Sequence, residues 1–85
     1  MNKLNLKAAA NRTGLQLKKA RYYYKSYKVF ILDCNNKLNI SIEQKNENSI
    51  KAYTKLINVY SDKVLILNDL IINLTSIRES NIANI

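Results

Sequence analysis

Residues 50–74 read IKAYTKLINVYSDKVLILNDLIINL, and the spacing of their apolar side chains decides the fold class. Ile50, Tyr53, Ile57, Tyr60, Val64, Leu67, Ile71 and Leu74 follow one another at steps of 3-4-3-4-3-4-3. An α-helix turns once in about 3.6 residues, so this alternation lays all eight along one side of a helix. Ser41 with Gln44 three residues on has the form of a capping box and places the helix start near residue 42. From there to Arg78 a helix runs somewhat over 50 Å, at about 1.5 Å per residue, and one small domain cannot cover it. Leu56, Val59, Leu65, Ile66, Leu70, Ile72 and Ile77 widen the apolar face beyond a narrow stripe. Burial on two sides is therefore expected, against the matching helix of a second copy and against the N-terminal part of the chain. Residues 43–80 are accordingly read as a dimerisation helix, with Ser61-Asp62 as the one place where it could break in two.

Upstream the character changes. Tyr27, Val29, Phe30, Ile31 and Leu32 are mostly β-branched or aromatic, and Asp33-Cys34-Asn35-Asn36 is a cluster of turn-forming types. Leu38, Ile40 and Ile42 then alternate with Asn39 and Ser41 at period two. Residues 29–42 read as a short β-hairpin, the rival being a plain connection between two long helices. Residues 3–28 read as helical, since Leu6, Ala10, Leu17, Ala20, Tyr24, Tyr27 and Ile31 recur at three- and four-residue steps, with Thr13 filling the missing place. The single glycine of the chain, Gly14, interrupts this run. Glycine costs helix stability but makes a turn without strain, so helix, turn, helix is preferred here to one continuous helix.

Charge is sorted along the chain. Lys3, Lys7, Arg12, Lys18, Lys19, Arg21, Lys25 and Lys28 are eight cations with no carboxylate among them, and the remaining residues carry six cations against six anions. Like charges crowded together oppose compaction, so the segregation points to a polyanionic partner. Nucleic acid is the first expectation; an anionic membrane surface comes last, because the basic segment lacks a Trp- or Phe-rich insertion face. Tyr22, Tyr23, Tyr24 and Tyr27 stand among Arg21, Lys25 and Lys28, an arrangement on which the bases of single-stranded nucleic acid can stack. The plainer reading packs at least two of these rings on the core, and Tyr53 and Tyr60 belong to the core as well.

Other chemistry has little to build on. With no His and a single Cys, the chain offers no Cys/His zinc site and no Ser-His-Asp triad. One glycine cannot make a phosphate-cradling loop, and the carboxylates stand singly. No enzyme activity, metal or cofactor is expected. Cys34 has no disulfide partner, which fits a reducing, cytoplasmic setting, and it is read as a half-buried turn residue. The most apolar run, Val64 to Leu74, is broken by Asn68 and Asp69 and falls short of a membrane span. Secretory leader features are missing, and those of a mitochondrial presequence are shared only in part.

The stretch from Leu6 to Tyr23, LKAAANRTGLQLKKARYY, resembles the helix-turn-helix unit of phage and plasmid repressors. Ala10 stands four places before Gly14 and Leu15 follows it, as the close helix crossing in that family requires. Ala20 and Tyr23 match inward-facing places of the second helix. Thr13 and Leu17 depart from the pattern, which has an apolar and a polar residue there. The resemblance covers residues 6–25 and implies that Gln16, Lys18, Arg21 and Tyr22 face the major groove, with Lys19 and Lys25 available to phosphates. Arg12 and Lys28 are added to the expected nucleic-acid-binding residues as members of the same basic segment.

The expectation is a single mainly α domain over residues 1–85: a basic nucleic-acid-binding segment (1–28), a hairpin or loop (29–42) and a dimerisation helix (43–80). The alternative is an all-α helical hairpin. The expected function is that of a small homodimeric DNA-binding protein, an accessory regulator of transcription or replication on a mobile element. An RNA-binding subunit of a ribonucleoprotein, or a phage-type antagonist or adaptor of another protein, is the alternative.

Overall fold

The computed structural model describes the backbone of residues 3–84 and the side chains of residues 5–84. It contains two helices, α1 (Lys3–Glu43) and α2 (Glu47–Ala83), laid antiparallel as a hairpin 63 Å long and 14 Å across. A compact globule of this length would have a radius of gyration of about 12 Å. The hairpin has 18.8 Å. No strand occurs among the described residues.

The chain reverses over residues 44–46. Lys45 takes the left-handed backbone conformation, with φ of 54°. The amide of Gln44 donates to the Ile40 carbonyl at 3.0 Å, and that of Asn46 to the Ser41 carbonyl at 3.0 Å, closing the end of α1. Asn46 caps α2: its extended backbone opens the helix, and its side-chain oxygen accepts from the Ser49 amide at 3.2 Å. Glu47 in the first turn adds a favourable charge at the positive end of the helix dipole. At the far end the Asn84 side chain donates to the Ser80 carbonyl at 2.8 Å.

Both helices contribute a stepped seam. On α2 it is the eight-residue series from Ile50 to Leu74, every member of it at least half-buried. On α1 it runs Ala10, Thr13, Leu17, Ala20, Tyr24, Tyr27, Ile31, Cys34, Leu38 and Ser41, steps of 3-4 throughout, all buried or half-buried. The stepping is compatible with coiled-coil packing. Leu17, Ala20 and Leu74 form the buried centre, with Leu67 and Ile71 against them. Further along, Tyr27 meets Tyr60 edge-on at 5.2 Å between ring centroids, and Phe30 leans on Tyr60 at 4.6 Å. Apart from Leu17, the buried residues of α1 are small (Ala10, Thr13, Ala20, Cys34, Ser41), and Ala20 packs in one cluster with Leu74 of α2. The two buried hydroxyls are satisfied within α1: Thr13 donates to the Ala9 carbonyl and Ser41 to the Lys37 carbonyl, each at 2.9 Å.

Four expectations are corrected by this architecture. Residues 6–25 lie in one uninterrupted helix, so no turn forms at Gly14, which has no positive φ. Residues 29–42 are the last turns of α1 and not a β-hairpin; every third or fourth residue there already has a place on the seam, and that burial outweighs β-propensity. Cys34 is buried at 2% exposure within that helix, not in a turn. Ser41 lies in the last turn of α1 and bonds backward, so the cap of α2 is Asn46 and no capping box forms. The all-α helical hairpin, held as the alternative, is the architecture observed, and α2 passes through Ser61-Asp62 without a break.

Candidate functional site

The seam gives the hairpin two unlike flanks. Residues one place after seam positions 13, 20 and 27 are Gly14, Arg21 and Lys28, and on α2 those after 53, 60, 67 and 74 are Thr54, Ser61, Asn68 and Thr75. Residues one place before seam positions 17, 24 and 31 are Gln16, Tyr23 and Phe30, opposite Leu56, Lys63, Leu70 and Ile77. In an antiparallel pair the first two sets share a side and so do the second two. Next to the seam one flank is polar and basic, with the exposed Leu65 beside Lys28 and Ser61, and the other is mainly apolar, with Gln16 and Lys63 among its residues.

On the basic flank a groove of about 540 Å³ is lined by Gly14, Leu17, Lys18, Arg21, Tyr22, Lys25 and Arg78. Four cations converge on it and no carboxylate lines it. Lys18, Arg21 and Lys25 come from successive turns of α1, three and four residues apart, which is why they line up. Arg78 comes from α2. Its guanidinium lies over Gly14, where an added β-carbon would stand 3.0 Å from Nε and 3.7 Å from Cζ. The missing side chain leaves room for Arg78 of the other helix to cross, and no turn is made here. Tyr22 is 67% exposed at the groove edge and contacts Tyr23 edge-on at 5.6 Å. Among the described residues the one ion pair is Lys37 with Asp33, Nζ to Oδ2 at 3.0 Å, remote from this groove.

The expected site residues divide between the flanks. Lys18, Arg21, Tyr22 and Lys25 are brought together. Lys28 follows on the same flank beside Ser61 and Leu65, its ammonium 5.2 Å from the centroid of the half-buried Tyr24 ring. Gln16 and Lys19 face the other way, into a second groove of about 420 Å³ with Ala20, Tyr23, Leu67, Leu70 and Leu74. Arg12 stands one heptad before Lys19 and shares its side. The Lys3 side chain lies outside the described residues. The eight residues expected to meet a twin (Ile50, Tyr53, Ile57, Tyr60, Val64, Leu67, Ile71, Leu74) are buried or half-buried, and Tyr60, Leu67, Ile71 and Leu74 among them pack on α1 within the same chain. Arg78 was not among the expected site residues. One signal could have found it: extending the 3-4 stepping beyond Leu74 by four residues lands on position 78 and aims it at α1.

Little else in the molecule offers chemistry. Among the described residues no group of three or more His, Cys, Asp or Glu comes together to hold a metal ion. No described helix is long and apolar enough to cross a membrane. No family model, curated protein or solved structure matches the chain.

Proposed function

We propose that this protein binds nucleic acid through the groove between Lys18, Arg21, Lys25 and Arg78, with duplex DNA as the preferred form. The observation that carries the reading is the convergence of four cations from two helices on a groove lined by no carboxylate. A folding requirement does not produce this, because four unpaired like charges within a few turns repel one another. A phosphate polymer relieves the repulsion and releases its own counterions in doing so. Recognition by this mode is of the backbone. Gln16, the residue best suited to reading a base edge, faces the opposite flank from Arg21.

A second reading is favoured by Tyr22. An exposed ring standing between Lys18 and Lys25 is a platform for an unpaired base, worth roughly 1–3 kcal/mol per stacked base. On that reading the partner is single-stranded RNA or DNA. One experiment decides between the two: a salt titration of binding to duplex DNA, single-stranded DNA and RNA of equal length. For duplex DNA log K falls by about 0.9 per log unit of salt for each phosphate neutralised, so four contacts give a slope of about −3.6. Affinity unchanged between low and physiological salt for all three polymers would refute both readings. Preference for single strands that disappears in Tyr22→Ala would favour the second.

A further inference from the structure

The apolar flank, opposite the basic groove, has no partner within the chain. Tyr23 and Phe30 of α1 and Val59, Ile66, Leu70 and Ile77 of α2 expose between 36% and 68% of their surface there. We infer that this flank is the interface through which two copies of the chain associate into a four-helix assembly. The occupant is a second copy for three reasons.

The first is area. The molecule exposes 6560 Å². A compact monomer of its mass exposes about 5,200 Å². One side of a rod 63 by 14 Å presents enough surface for a standard interface, which takes about 800 Å² from each partner.

The second is symmetry. A twofold interface must match itself, so the patch has to straddle the axis. Arg78 lies over Gly14, which sets Ile77 level with α1 about three turns from its start, and Tyr60 meets Tyr27, which sets Val59 level with Phe30. The patch is therefore centred near residue 22 of α1, and α1, running from 3 to 43, has its own midpoint at 23. Two copies related by an axis through the middle overlap along their whole length.

The third is charge. Each chain carries a net charge of +8, so two copies repel unless they meet where cations are fewest. The apolar flank carries Arg12, Lys19 and Lys63, against Lys18, Arg21, Lys25, Lys28 and Arg78 on the other. Lys63 lies over the rings of Tyr60 and Tyr27, at 5.2 and 6.0 Å from their centroids, its stem available as apolar cover. Joining the apolar flanks sends the two basic grooves to opposite outer sides, as far apart as the assembly allows. This inference stands apart from the nucleic-acid reading, since it concerns the other flank.

Sedimentation equilibrium of the full chain, from micromolar to hundred-micromolar concentrations, tests it. The parent should sediment as a dimer of twice 9.8 kDa. Ile66→Glu with Leu70→Glu should weaken association at least tenfold while circular dichroism keeps its helical signal. The single variant Ile66→Glu, at a position too exposed to matter for the hairpin itself, should weaken it in the same direction and guards against a double variant that fails to fold. Leu65→Glu with Ile72→Glu, on the other side of α2, should leave the dimer intact. A parent that stays monomeric throughout would overturn the inference and leave the flank to a different protein. So would a helical Ile66→Glu variant that dimerises like the parent, or a control pair that dissociates as readily as the test pair.

Discussion

The guanidinium of Arg78 rests over Gly14 of the other helix, 3.0 Å from the place a β-carbon would occupy. The contact ties the two ends of the chain together near the open end of the hairpin. It also brings the fourth cation to a groove that α1 alone would leave with three.

Gly14→Ala separates two structural roles for this glycine. In the continuous helix observed, alanine gains roughly 0.5–1 kcal/mol of helix stability. Its methyl displaces only the far end of a flexible side chain. Thermal unfolding should rise by a few degrees, since 1 kcal/mol corresponds to about 4–8 °C in a domain of this size. A fall in melting temperature would indicate a turn at residue 14 that needs glycine.

Lys18, Arg21 and Lys25 act together, and Arg12 with Lys19 does not belong to their set. The triple change of Lys18, Arg21 and Lys25 to Ala should lower the salt slope for duplex DNA by about 2.7, at about 0.9 per phosphate. Arg12→Ala with Lys19→Ala should change it by less than half as much. Arg78→Ala should reduce it by about one contact, although it lies 53 residues beyond Lys25. Equal effects from the two α1 sets would mean that the positive charge is used without regard to the groove.

Leu74→Ala tests the seam. Leu74 is the one buried residue of α2 and packs on Leu17 and Ala20. Its truncation should cost roughly 2–5 kcal/mol, the usual range for a buried leucine. Urea unfolding followed by circular dichroism measures it. A cost below about 0.5 kcal/mol would place residue 74 on a solvated face.

The pH dependence is expected to be narrow. Lys37 is held above its ordinary value of 10.5, first by its hydrogen bond to Asp33 and then by the attraction of that carboxylate. A raised folded-state value stabilises below the unfolded one and loses its effect as pH climbs through it. Asp33→Asn should therefore lower the melting temperature slightly at pH 7 and not at all well above pH 10.5. The chain has no histidine, so binding to nucleic acid should be flat between about pH 5.5 and 8. A steep change across that window would contradict a site built from Lys and Arg.

If two copies join by their apolar flanks, each dimer carries two outward grooves and one duplex cannot reach both. Capture of a labelled duplex by a second, immobilised one should then depend on the dimer. The parent should bridge the two; Ile66→Glu with Leu70→Glu should still bind a single duplex and fail to bridge. Bridging by a monomeric variant would show that the two faces are not coupled in this way.

Much of this was legible from residue spacing. The stepping from Ile50 to Leu74 gave α2 its length and its buried side, and the stepping from Ala10 to Ile31 gave most of α1. The β-hairpin was read into 29–42 because Val29 to Leu32 and Leu38 to Ile42 have strand-like composition. The same residues carry Ile31, Cys34, Leu38 and Ser41 at helical steps, and a small cysteine or serine is a poor advertisement for a seam. Thr13 and Leu17, the two places where the repressor-like pattern fails, are both buried against α2. Those departures were already the mark of a continuous helix.

From its sequence alone this protein was bound to be helical, to carry one basic half and to own more apolar surface than one helix face can hide. Periodicity and charge are properties of residues in order, and no partner is needed to state them. Which helix covers which face was decided only by the fold. The seam that could have held a twin is filled by α1, because a three-residue connection makes the nearer helix the cheaper partner. That choice leaves the opposite flank bare. It also carries Arg78 back across the hairpin to Lys18, Arg21 and Lys25, a meeting between distant residues that linear spacing cannot express.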